Sequence, residues 1–120
     1  MKLPTVYQRA EGAVIFLAAT YLYFDQGFSL IWFAVLLCAF DVLMAGYLIS
    51  NWFGAHLYNI GHSLILPTIV AVLYYVTGND WLLGLACLWF AHIGIDRALG
   101  YGLKFTGGFK QTHLGVIGKN

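Results

Sequence analysis

The sequence predicts an all-α integral membrane protein, a four-helix up-down bundle with an interfacial C-terminal tail, and three observations predict it. The 120 residues are 61% hydrophobic and only 9% charged, a balance far from that of a water-soluble domain. The apolar residues gather in four runs, at about residues 5–24, 28–50, 58–76 and 81–100. Each is close to the ~20 residues that cross a bilayer at about 1.5 Å per residue. The connections between them are short, which in a bundle makes consecutive helices antiparallel neighbours. Residues 1–120 therefore read as a single transmembrane domain without internal repeats.

Each run has its own punctuation. Pro4 suits the first turn of a helix and Asp25-Gln26-Gly27 closes it. The second run, 28–50, has no Gly or Pro before Gly46. The polar and aromatic stretch Asn51 to Leu57 is expected to be a connection containing His56. Pro67 lies inside the third run, where it removes the backbone bond to residue 63 and frees a carbonyl beside His62. Thr77-Gly78-Asn79-Asp80 makes the turn into the fourth. Beyond it, tail residues 101–120 mix aromatic and basic residues with glycines, as in Lys104-Phe105 and Gly107-Gly108-Phe109-Lys110. This describes a segment at the headgroup boundary rather than a fifth span. A tail folded back as a lid that carries His113 to a site is the other geometry left open.

Charge sets the orientation and excludes some functions. Lys2, Arg9, Arg97, Lys104, Lys110 and Lys119 flank the outer ends of the first and fourth runs, whereas the connections at Asp25 and Asp80 carry only acidic charge. The positive-inside rule then places both termini in the cytoplasm, in a multi-pass protein of the inner membrane. A net charge of +1 without a basic stripe offers nothing to nucleic acid. Membrane lipids are the expected partners, and a homo-oligomer is left open. Tyr21 to Gln26 offers no small-residue cleavage site, so no signal peptide is expected. Cys38 and Cys87 stand alone in apolar runs and read as buried free thiols.

The informative residues are those that hydrocarbon should exclude. Glu11, Asp41, His62, His92 and Asp96 come from all four runs, and helical rise places them in one layer, roughly 6–14 Å from the cytoplasmic face. His92 and Asp96 are four apart and share a helix face. Ionisable groups at such depth are costly and mark function. The donors are nitrogen and oxygen only, which suits Zn²⁺, Mn²⁺ or Fe²⁺ better than Cu⁺ or an iron–sulfur cluster. Two plainer accounts stand beside this one. His92 and Asp96 form a structural hydrogen bond, or Asp41 and Glu11 pair with Arg97 and Arg9 as a neutral clamp.

Two resemblances bear on these residues. Tyr58-Asn59-Ile60-Gly61-His62-Ser63 with Pro67, His92 to Lys104, and Thr112-His113-Leu114-Gly115 resemble a family of small bacterial membrane proteins catalogued as domain of unknown function 4260. That likeness covers nearly the whole chain and implies no activity. His62-Ser63 and His92 with Asp96 are more distantly similar to a pattern of membrane-bound metal-dependent hydrolases, although no second His precedes His62 in its helix. This likeness implies that His62, His92 and Asp96 are metal ligands, with Asp41 or Glu11 as the catalytic general base. The leading expectation is a divalent-metal site hydrolysing a lipid or phospho-lipid group. The alternatives are a b-type haem held by His62 and His92, and a structural or interaction protein that is no enzyme.

Overall fold

The structure, a computed structural model, describes residues 2–117. Lys119, one of the basic residues used for orientation, lies outside them. Helix α1 (Leu3–Asp25) starts with proline in its first turn, as expected. Helix α2 (Leu30–Ala39) is capped by Ser29, whose hydroxyl accepts from the Trp32 N–H at 3.4 Å. At Phe40 the chain tightens into a 3-10 segment (Phe40–Leu48), so the second run is helical throughout but changes pitch midway.

The third run departs from expectation twice. Asn51 to Leu57 is not a connection but the first half of α3 (Asn51–His62), started by the Ser50 hydroxyl, which accepts from the Phe53 N–H at 3.0 Å. After His62 the helix stops: Ser63 turns to extended backbone, and α4 (Ile65–Thr77) begins afresh. The break puts Pro67 in the first turn of α4, where a missing N–H costs nothing. What reads as one span with a kink is two helices. Gly78 ends α4 with φ +70°, a left-handed conformation that glycine adopts without strain. Asn79 then caps α5 (Asp80–Ala98) by accepting from the Trp81 N–H at 3.0 Å.

Helix α5 is the centre. Helices α1, α2 and α4 pack on it, and α3 packs on the 3-10 segment. Among the described residues it supplies more buried positions than any other element, from Gly84 to Gly94. Tyr23, Cys87 and Leu88 form an apolar core with Phe28, Phe33 and Leu36 against it, and the Tyr23 hydroxyl donates to the Ser29 carbonyl at 2.7 Å. Cys87 is buried as expected, but Cys38 is exposed, because α2 buries none of its residues. Arg9 Nε donates to the Ala98 carbonyl at 2.9 Å and so ties the start of α1 to the end of α5. The tail is less irregular than expected: β1 (Gln111–Thr112) and β2 (Gly115–Val116) pair antiparallel, and Lys104 bridges to Thr112.

The α1–α5 contact is made backbone to backbone. A methyl on Gly94 would lie 2.6 Å from the Phe16 nitrogen and 2.7 Å from the Gly12 oxygen, and one on Gly12 would lie 2.7 Å from the Gly94 oxygen. Neither neighbour can rotate away. Gly94→Ala is expected to cost about 3 kcal/mol of stability, the upper part of the range for overpacking. Gly84→Ala, whose methyl meets the Phe28 ring at 3.3 Å, is expected to cost less. Denaturant unfolding of the two variants in detergent checks the order.

Candidate metal centre

Three elements deliver four side chains to one point. Helix α5 presents His92 and Asp96 one turn apart, α3 presents His62 as its last residue, and the 3-10 segment presents Asp41 in its first turn. One donor atom from each lies within 4.8 Å of every other. His62 Nε2 and His92 Nε2 are 3.0 Å apart. His92 Nε2 stands 3.3 Å from Asp41 Oδ1 and 3.3 Å from Asp96 Oδ2, and His62 Nε2 stands 3.6 Å from each of the same oxygens. Four donors held tetrahedrally about 2.1 Å from a metal are about 3.4 Å apart. The measured edges straddle that value.

The rings are fixed from behind. His62 Nδ1 donates to the Tyr58 carbonyl at 2.9 Å, and His92 Nδ1 donates to the Leu37 carbonyl. A carbonyl only accepts, so each Nδ1 carries the proton and each neutral imidazole turns an Nε2 lone pair inward. The two lone pairs face each other and two carboxylates. Four acceptors meeting without a donor call for a cation, either a proton on one ring or a metal ion. Backbone carbonyls behind ligating imidazoles are the usual support of a metal site. The Tyr58 ring also stacks on His62, with centroids 3.8 Å apart and planes 2° from parallel.

The break after His62 is held open by α5. Carbonyls of Gly61 and His62 lose their helical partners there, and α5 replaces them. Trp89 Nε1 donates to Gly61 at 2.6 Å and Arg97 to His62 at 3.3 Å. Arg97 therefore braces the backbone of His62, a part that its expected reading as a marker of the membrane face does not include. Exposure is graded across the four: the imidazole side chains are 4% exposed, Asp96 19% and Asp41 46%. Asp41 marks the open side.

Of the residues expected from the sequence, Asp41, His62, His92 and Asp96 come together, and the fifth does not. Glu11 is exposed on α1, outside the group of four. His113 is exposed as well; its Nδ1 accepts from the Leu103 N–H at 2.7 Å. His56 lies on α3 and lines a separate cavity of about 310 Å³ with Asn59, Ser63 and Leu66. The tail does fold back, but it brings Lys104. Asn59 receives the Lys104 N–H at 2.6 Å and donates to the Lys104 carbonyl at 2.8 Å. The Lys104 ammonium is thereby seated 4.7 Å from the Tyr58 ring and 4.0 Å from that of Phe109. Nothing in the spacing of Leu-Lys-Phe distinguishes this buried lysine, 5% exposed, from a surface anchor.

A family model described as a domain of unknown function (DUF4260) matches residues 5–117. No curated protein and no solved structure matches the chain.

Burial pushes the Lys104 ammonium down to about 8, against the upward pull of the Asp96 carboxylate. The unfolded lysine titrates near about 10.4. Between about pH 8 and 10 the unfolded chain therefore binds more protons than the folded one, and stability rises with pH. The thermal midpoint of metal-free protein is expected to climb over that window, and the climb is expected to be absent in Lys104→Met.

Proposed function

The chain belongs to the DUF4260 family, whose description brings no activity with it, and from the site itself we propose a membrane-embedded, divalent-metal-dependent hydrolase acting on a phosphorylated lipid group. The observation that carries this reading is the convergence of two outward-anchored imidazoles and two carboxylates, with N···N 3.0 Å and N···O 3.3–3.6 Å. A proton would satisfy one pair in such a group. Four near-equal edges suit an ion bound to all, and a tetrahedral nitrogen–oxygen set suits Zn²⁺ first, with Mn²⁺ or Fe²⁺ after it.

His62, His92 and Asp96 are the ligands in this reading, since all three are held on regular helix and are the least exposed. Asp41 is the most exposed of the four. Its side chain is nearly half exposed, so it would be placed to take a proton from an incoming water as general base. With Glu11 outside the group, that role falls to Asp41 alone. When bound, a divalent ion supplies an acidified water and polarises the scissile phosphoryl oxygen. Haem is disfavoured: two axial imidazole nitrogens stand roughly 4 Å apart across an iron, and the 3.0 Å separation leaves no room for a porphyrin.

The membrane setting is supported by what the helices leave outside. Leu30–Leu48 and Asn51–Thr77 are long and apolar enough to cross a membrane. Helix α2 is wholly apolar apart from its cap and buries none of its residues, and Ile31, Val35, Ile69, Val72 and Val76 are exposed. Such a surface is stable in hydrocarbon and aggregates in water. A four-span, inner-membrane arrangement with both ends cytoplasmic then puts the metal layer near the cytoplasmic headgroups, where a phospholipid's phosphoryl group lies.

Protein purified in mild detergent without chelator is expected to carry about one divalent ion per chain by elemental analysis. His92→Ala and Asp96→Ala are expected to lower its affinity by more than the 10–100-fold typical of losing a supporting residue, and Asp41→Asn to keep the ion while losing hydrolysis. A folded, monodisperse wild-type preparation that takes up no ion on titration would sink the proposal.

A further inference from the structure

Lys104 presents a charge with no anionic partner among the described residues. It is 5% exposed, yet among the described residues no carboxylate forms an ion pair with it and no acceptor takes a hydrogen bond from its ammonium. The rings of Tyr58 and Phe109 lie against its ammonium. Its position is built rather than incidental, because both backbone groups of Lys104 are locked to the Asn59 amide and the chain bridges to Thr112. A buried ammonium facing only rings remains short of an acceptor.

A second group in the same place is also short of one. The Tyr47 hydroxyl is buried without a hydrogen-bond partner, and the Tyr47 ring stands edge-on to Phe109 at 5.3 Å. Phe109 is thus shared by the lone phenol and the lone ammonium. One ring further on is the metal layer: the Tyr58 ring that underlies Lys104 is the ring stacked on His62. Two donors without acceptors, one of them charged, border a group of acceptors that calls for a cation.

We infer that Lys104 and the Tyr47 hydroxyl form an oxyanion subsite, one aromatic ring away from the metal centre, that holds a phosphoryl group of the substrate. The inference rests on the metal-site reading above and names the part of the chain that selects its substrate. A divalent ion with the Asp41 and Asp96 carboxylates is formally neutral, so the Lys104 charge is left to complement an anion. A phosphoryl group has enough oxygens to accept from Lys104 and Tyr47 together. Charge-assisted bonds of this kind are the strong ones. The same chemistry is offered by free phosphate and by a phosphomonoester lipid headgroup.

The test is calorimetric titration of Zn²⁺-loaded full-length protein in nanodiscs of phosphatidylcholine. Inorganic phosphate is the ligand in one arm, and phosphatidic acid supplied in phosphatidylcholine vesicles is the ligand in the other. Wild type is expected to bind in at least one arm, Lys104→Met to bind about 10–100-fold more weakly, Tyr47→Phe about 3–10-fold more weakly, and Lys104→Arg close to wild type, all with unchanged metal content. Binding in the phosphate arm identifies a soluble anion as sufficient, and binding confined to phosphatidic acid identifies the lipid headgroup. Wild type silent in both arms, or Lys104→Met binding as wild type does, overturns the subsite. Loss of metal from Lys104→Met without rescue by Lys104→Arg overturns it too, and makes Lys104 a support for His62. Failure of the metal reading is distinguishable, because it shows as wild-type protein that takes up no ion, whatever phosphate does.

Discussion

Two imidazole nitrogens facing each other at 3.0 Å, each with its proton committed to a backbone carbonyl behind it, are the contact on which the rest of this structure depends. Neutral rings so arranged repel unless something positive sits between them. Three elements must agree for the contact to exist. The end of α3 supplies one ring, the middle of α5 the other, and α2 the Leu37 carbonyl that turns His92 inward. Asp41 enters four residues after Leu37, just where α-helix gives way to the tighter 3-10 turn. The pitch change and the carboxylate's arrival belong together, since a change in residues per turn re-aims every side chain after it.

The break between α3 and α4 is the second consequence of the same point. A continuous helix would carry His62 onward with its carbonyl bonded internally. Instead the chain leaves helical geometry at Ser63, and the freed carbonyls of Gly61 and His62 are taken by Trp89 and Arg97 of α5. Buried backbone acceptors are rarely left unpaired, so the indole and the guanidinium make the break tolerable in an apolar setting. They also lock α3 to α5 on either side of the ligand layer. The stack of His62 on Tyr58, and of Lys104 over Tyr58, extends that bracing into the tail.

Several polar side chains are buried while large apolar ones are exposed. The ionisable residues His62, His92 and Lys104 are inside, whereas much of α2 and α4 presents Leu, Ile and Val outward. The contact between α1 and α5 is correspondingly made by small residues, Gly12 and Gly94, whose backbones touch. In the proposed membrane setting apolar side chains gain little by leaving the solvent, so association falls to close van der Waals packing and to polar contacts. Both kinds of contact converge on α5.

Much of this was legible from the chain itself. Helical runs, the helix start at Pro4, the turn from Thr77 to Asp80, and the shared level of Asp41, His62, His92 and Asp96 follow from spacing, because helical rise converts residue number into height. Height says nothing about facing direction. Glu11 has the right height but is exposed on α1, while Asn51 to Leu57 looks polar enough to be a loop and is helix. Lys104 is buried by a two-bond embrace with Asn59, 45 residues away in sequence, and no local pattern encodes such a partner. The sequence by itself determined which residues are too polar for the apolar runs they sit in and how far along those runs they lie. Only the tertiary structure decided which of them face one another, because rotation about each helix axis is set by packing against neighbours and by hydrogen bonds between elements, not by the order of residues along any one of them.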